Sequence, residues 1–174
     1  MPETDWTKSK KWADRFMPEI KSILGRMFIN ESTMQMDAEE GTDLIVLEIR
    51  PVRIACRIRQ YRYYERYPDE FTIRRRRPSG AKSEMMKIIE GFGDYYLYGF
   101  SNKEETALQA YSILDLGVFR RELILHHWKK HLKYSQQNNR DGSSDFLAFT
   151  KSSFPPDLII RPVSKPLSIE AFPC

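Results

Sequence analysis

Between Arg50 and Arg77 the chain carries ten arginines and no lysine, set among Tyr61, Tyr63, Tyr64 and Tyr67. A guanidinium group is a planar fork that matches phosphate oxygens two at a time and stacks on flat rings. Arginines neutralise a phosphate backbone with salt-dependent affinity, and interleaved tyrosines offer faces to unpaired bases. The candidate nucleic-acid-binding residues are therefore Arg57, Arg59, Arg62, Tyr63, Tyr64 and Arg66, then the run Arg74, Arg75, Arg76 and Arg77. Lys82, just past the turn "PSG", is placed to reach a further backbone phosphate. Against Glu65, Asp69 and Glu70 the ten arginines leave this stretch at +7; with +4 for the whole chain, the remainder sums to −3. A basic field on a mildly acidic body implies a specific anionic partner, DNA, RNA or an acidic protein. The bland alternative is a sheet edge whose arginines deter aggregation, but edges rarely need so many.

The elements that must position these side chains follow from periodicity. Phe16, Ile20, Ile23, Leu24 and Met27 keep helical spacing, and Pro18 inside that pattern predicts a kink or a second helix starting at its first turn. "DLIVLEI" from Asp43 reads as strand, preceded by a polar stretch in which Thr33–Met36 has strand character. "RIACRIR" alternates, so Ile54, Cys56 and Ile58 face one way and Arg53, Ala55, Arg57 and Arg59 the other. Tyr61 to Pro68 is expected to be the strand's end and a loop. "EFTIRRRR" is a further strand, on which Arg74 and Arg76 share a face; if that face coincides with the one holding Arg57 and Arg59, the two make a continuous cationic strip. Ser83 or Gly80 opens a short helix, "SEMMKIIEG", ended by Gly91, with Met85, Met86, Ile88 and Ile89 expected in the core. "DYYLYGF" is an aromatic strand and "LQAYSILDL" a strand or extended segment. "VFRRELILHHWKKHLKY" reads as a second long helix burying Phe119, Leu123 and part of Trp128, "SQQNNRDGSSD" as a flexible polar loop. "FLAFTKSSFPPDLIIRPV" reads as two short strands around a Pro-Pro turn. The fold class is α/β (α+β): one domain over residues 1–162 with a central mixed sheet flanked by helices, then a Pro-rich tail over 163–174.

The order helix, strand meander, helix, strand over Pro18 to Phe100 resembles the core of the PD-(D/E)XK, or restriction-endonuclease-like, nuclease superfamily. The resemblance implies that a helix glutamate, a strand aspartate and an acid-x-lysine on the next strand hold Mg²⁺ and activate water. Matched by position, Glu19 is the helix acid, Asp43 the strand acid, and Arg57-Ile58-Arg59 the third element, with Arg59 in the lysine's place. Arg57 stands where the family has an acid, and a guanidinium repels a cation instead of ligating it. A hydrolytic Mg²⁺ site needs at least two converging oxygen ligands, so the missing carboxylate would come from Glu48, Glu70 or Glu84. The implied catalytic set is Asp43, Glu19, Arg59 and Glu84, with Asp43 and Glu19 as metal ligands and Arg59 stabilising charge on the scissile phosphate. Nuclease-like folds of this size often act as homodimers.

Other motifs carry less. "SGAKSEMMKIIEG" lacks the spacing of a phosphate-binding P-loop. His127 and His131 have i, i+4 spacing, yet Trp128 follows the first where a zinc protease has glutamate, and lysines surround them. No apolar run approaches the roughly 20 residues of a membrane span, and the charged start "MPETDWTKSKKWADRF" has no signal-peptide core. Two cysteines, Cys56 and Cys174, without metal spacing suit free thiols in a reducing, cytoplasmic setting. Two functions from different classes follow: a nucleic-acid-binding protein acting as a Mg²⁺-dependent phosphodiesterase, or a non-catalytic binding or inhibitor module. A phage or defence-system accessory protein would be of the second kind, holding nucleic acid or an acidic protein on its arginines.

Overall fold

The computed structural model describes residues 5–31, 44–46, 52–76, 80–125, 131–138 and 145–160. It is a mixed α+β structure whose chain divides into two compact units. The smaller unit contains helix α2 (Met17–Phe28) and the strands β1 (Ile29–Glu31) and β2 (Leu44–Val46), which pair antiparallel with Ile29 opposite Val46. Pro18 lies in the first turn of α2, where a missing N–H costs nothing, and Glu19 follows it at the positive end of the helix.

The larger unit holds α1 (Asp5–Asp14) and everything described from residue 52 to 160. Its first sheet runs β3 (Ile54–Arg59), β5 (Tyr95–Ser101), β6 (Leu108–Asp115) and β9 (Ile159–Ile160), in that order. β3 lies parallel to β5, Ile54 opposite Tyr95 and Arg59 opposite Phe100, while β5 and β6 form an antiparallel hairpin. The second sheet is antiparallel throughout, in the order β4 (Glu70–Arg76), β8 (Asp145–Thr150) and β7 (Tyr134–Asn138). Alternate residues of both sheets meet in one core: Tyr96, Tyr98 and Phe100 from β5, Phe71 and Ile73 from β4, Leu147 and Phe149 from β8. Helix α4 (Glu84–Ile89) adds Met85 and Ile88, and α5 (Leu116–Leu125) adds Phe119.

Local chemistry sets the helix ends. The Ser83 hydroxyl accepts the Met86 N–H at 3.2 Å, and Gly91 past the far end takes φ 89°, a conformation that a side chain disfavours. Arg120 donates to the Ile88 carbonyl, which also accepts the Gly91 N–H, and to the Gly93 carbonyl, tying α5 to the end of α4 and the turn after it. Asp115 Oδ1 accepts the Gly117 and Val118 N–H groups and starts α5.

Several sequence expectations change. Tyr61 to Arg66 is a helix, α3, not a loop; it opens with Tyr63 N–H on the Gln60 carbonyl and packs Tyr63 and Tyr64 on the core. Of the second long helix expected from Val118, α5 spans Leu116–Leu125; residues 126–130, Trp128 among them, lie outside the described residues, and His131 sits in a turn. Tyr134 to Asn138, expected in a helix end and a polar loop, is strand β7. Its exposed residues conceal a strand because its backbone, not its side chains, is what β8 uses. On α4, Met86 and Ile89 are 48% and 52% exposed, because a six-residue helix has one buried stripe and Met85 and Ile88 fill it. The expected meander is divided: β2 pairs β1, and β3 pairs β5. Among the described residues no helix is long and apolar enough to cross a membrane.

Candidate nucleic-acid interface

Alternation along β3 places Arg57 and Arg59 on the face shared with Tyr96 and Tyr98, the face turned toward the core. Arg57 Nη2 lies 2.8 Å from Glu84 Oε2, and Nη1 lies 3.4 Å from Thr72 Oγ1. The same Oε2 accepts the Arg74 N–H at 2.9 Å, and Tyr96 Oη lies 3.1 Å from Oε1 and 3.2 Å from the Thr72 carbonyl. The single phenol proton serves one acceptor at a time, and the charged one binds it more strongly. Thr72 Oγ1 and Tyr98 Oη, 3.3 Å apart, complete the cluster. Burial opposes the charge on Arg57, but Tyr96, Glu84 and Tyr98 outweigh it and the guanidinium stays protonated, its pKa raised. Burial lifts the Tyr96 phenol well above its ordinary range, so it remains a donor.

A Mg²⁺ ion does not fit this cluster. Glu84 Oε2 already carries two N–H donors, one of them cationic, whereas Mg²⁺ requires several oxygens free to point at it. Among the described residues no three His, Cys, Asp or Glu side chains are grouped to hold a metal. Glu19 belongs to the smaller unit, and Asp43 lies outside the described residues. Glu84, predicted as a catalytic acid, is instead the counter-ion of Arg57.

The remaining arginines sort by partner. Arg75 pairs with Asp145 at 2.9 Å, Arg53 with Asp94, and Lys82 with Glu90 at 2.7 Å. Arg74 is half-buried, Arg76 is exposed, and Arg77, His126 and His127 lie outside the described residues. Arg57 and Arg59 sit on a different sheet from Arg74 and Arg76. The continuous strip is not formed by a single sheet face.

What the structure does bring together lies around α3. The Arg59 guanidinium is 4.1 Å from the centre of the Tyr63 ring and Arg62 is 5.1 Å from the same ring. Lys103 lies 5.1 Å from the Tyr61 ring. Arg59, Arg62 and Arg66 have no carboxylate partner among the described residues. An open groove of about 530 Å³ runs along β3, with Lys8 and Trp12 of α1 facing Cys56, Ile58, Arg59 and Tyr63. No described strand pairs with β3 on the side away from β5. Trp12 is fixed by its Nε1–H on Glu105 at 2.7 Å, and Gln60 reaches the other oxygen of that carboxylate at 3.2 Å. Trp12 gave no signal in the sequence, since a distance of 44 residues from Cys56 carries no periodicity.

Beside the groove, Glu70 is half-buried, and burial followed by the neighbouring Asp69 raises its pKa. A carboxyl group whose folded pKa is raised is penalised when ionised, and the penalty disappears as pH falls below the unfolded value of about 4.3. Glu70→Gln is therefore expected to unfold at a higher temperature than wild type at pH 7, with the gap closing as pH drops. Thermal melts across that range check it, and a gap constant with pH would refute it.

Comparison of the chain with models of known families, with curated proteins and with solved structures finds no match in any of the three.

Proposed function

We propose that this protein binds single-stranded nucleic acid along the edge of β3 away from β5 and the adjoining helix α3, without cleaving it. The observation that carries this reading is the placement of Arg59 and Arg62 on the Tyr63 ring, beside an open groove and without carboxylate partners among the described residues. Such a surface offers cations to phosphates and ring faces to bases at one place, the combination that holds unpaired strands. In this reading the chain is a restriction-endonuclease-like scaffold in which Arg57, closed onto Glu84, replaces the third catalytic element.

Fluorescence anisotropy with labelled single- and double-stranded DNA and RNA tests it. Changing Arg59, Arg62 and Arg66 together to serine is expected to weaken single-strand affinity about 100-fold and to reduce the slope of log K against log salt by about 2, at roughly 0.7 per lost phosphate contact. Unchanged affinity would reject the surface. An acidic protein partner would need the charges but not the stacking, so Tyr63→Leu would then be silent. Incubation with Mg²⁺ should leave every strand intact. Cleavage that Asp43→Ala abolishes would replace this function with the nuclease, in which Asp43 and Glu19 hold the metal.

A further inference from the structure

A second, smaller hollow opens between α3 and the polar face of the three-stranded sheet, enclosing about 170 Å³. Its floor exists because Thr72, Ala148 and Ser135 stand side by side across β4, β8 and β7, three short side chains where longer ones would fill the space. Its walls are aromatic, with Tyr63, Tyr98, Phe100 and Phe146 among them. The Arg59 guanidinium, already on Tyr63, lies 5.9 Å from the Phe146 ring centre. Arg59 also lines the open groove, so the hollow and the strand path share one residue.

The contents of the hollow define what fits. Ligand pockets for drug-sized molecules are typically about 300–1,000 Å³, so this one takes a single small ring system. Aromatic walls with a carboxylate would also suit an organic cation, but Arg59 already occupies the cation's position against Tyr63 and Phe146 and would repel another. A flat neutral ring stacks on a guanidinium instead. The Glu70 carboxylate lines the hollow and accepts no hydrogen bond from the described residues, and a carboxylate can only accept hydrogen bonds. Gln137 donates its Nε2–H to Ser135 Oγ at 3.3 Å, which leaves its carbonyl oxygen as a second acceptor. Two acceptors at the rim of an aromatic slot select a ring that bears donors.

We propose that this hollow receives one unpaired nucleobase carrying an exocyclic amino group, turned out of the strand held in the groove, with Arg59 stacked on the base and Glu70 accepting from its amine. The proposal rests on the nucleic-acid reading above and assigns that site a base preference. Anisotropy titrations with oligo(dA), oligo(dC), oligo(dT) and a strand of abasic residues, all of one length, test it. Amine-bearing strands are expected to bind about tenfold tighter than oligo(dT), within the range for one good base contact, and the abasic strand no better than oligo(dT). Glu70→Ala, checked for folding by circular dichroism, removes the acceptor where glutamine would keep a carbonyl oxygen, and should bring oligo(dA) and oligo(dC) down to the oligo(dT) level. Ala148→Leu, checked for folding by circular dichroism, should do the same by filling the floor. Equal affinity for all four strands would overturn the base pocket and leave the strand-binding surface standing. Failure of every strand to bind would overturn both. Preference for amine-bearing bases that persists in Glu70→Ala would overturn the assignment of Glu70.

Discussion

Glu84→Ala is expected to lower the unfolding free energy by about 3 kcal/mol, near the low end for breaking a closed ion pair by removing one partner. The pair is 19% and 23% exposed, so water relieves part of the cost. The loss is nevertheless large because the carboxylate takes three donors: the Arg57 guanidinium, the Arg74 N–H and the Tyr96 phenol. With the acid gone, Arg57 keeps its charge among Tyr96, Tyr98 and Thr72 without a counter-ion. Replacing both partners by methionine should recover most of the loss, since an apolar pair of similar volume leaves no orphaned charge. Urea unfolding of Glu84→Ala and of the Arg57→Met, Glu84→Met double variant measures it. A loss below about 1 kcal/mol would show that Arg57 reaches solvent, at the level of an ordinary surface pair. The same variant separates structure from catalysis, because a metal ligand would be lost with activity and little stability.

Phe71→Ala is expected to cost about 4 kcal/mol. Phe71 is 1% exposed and its ring lies 5.5 Å from Phe149, stacked at 24°, and 5.7 Å from both Phe119 and Phe154. These neighbours come from β8, α5 and the turn after β8, so removing the ring leaves a void bordered by three separately placed segments. Phe149 is held in the β4–β8 ladder and Phe119 on α5, so the void closes only in part, which puts the cost in the middle of the range of about 3–5 kcal/mol for an aromatic truncation. Against a typical total of about 5–15 kcal/mol, one such change consumes much of the stability of the larger unit. Phe71→Leu should restore roughly half. Equilibrium denaturation checks both, and a cost under about 2 kcal/mol would mean that the aromatic cluster repacks.

Features that depend on residues close in sequence were legible. Pro18 marks the start of α2, Ser83 and Gly91 bound α4, and the alternation of "RIACRIR" gives β3 its two faces. What alternation could not give was which face is covered. Arginine is the residue most expected in water, yet Arg57 turns inward because Glu84, 27 residues away, and Tyr96 supply its partners. Helix α3 was hidden because Tyr61 and Tyr64 are as compatible with a strand end as with one helical turn. Strand β7 was hidden because all five of its residues are exposed, so neither apolar periodicity nor burial marks it. The candidate interface was legible in composition, as Arg59, Arg62 and Tyr63. Its geometry was not, since Trp12, Gln137 and Phe146 arrive from distant parts of the chain. Of the predicted catalytic set, Glu84 and Arg59 have other partners, Glu19 is in the smaller unit, and Asp43 lies outside the described residues.

The two sheets of the larger unit take their strands from the chain in alternation: β3 in one, β4 in the other, β5 and β6 back in the first, β7 and β8 in the second, β9 in the first again. The chain therefore passes between sheets four times, and neither sheet is complete until nearly the last described residue is in place. The β5–β6 and β7–β8 pairings join neighbours in sequence, whereas β3–β5, β4–β8 and β6–β9 each require a longer loop to close first. Without Ile159 and Ile160 the first sheet ends at β6, whose outer edge at Ile113 and Leu114 is then open, so the last two described residues close an edge that the hairpin of β5 and β6 leaves exposed.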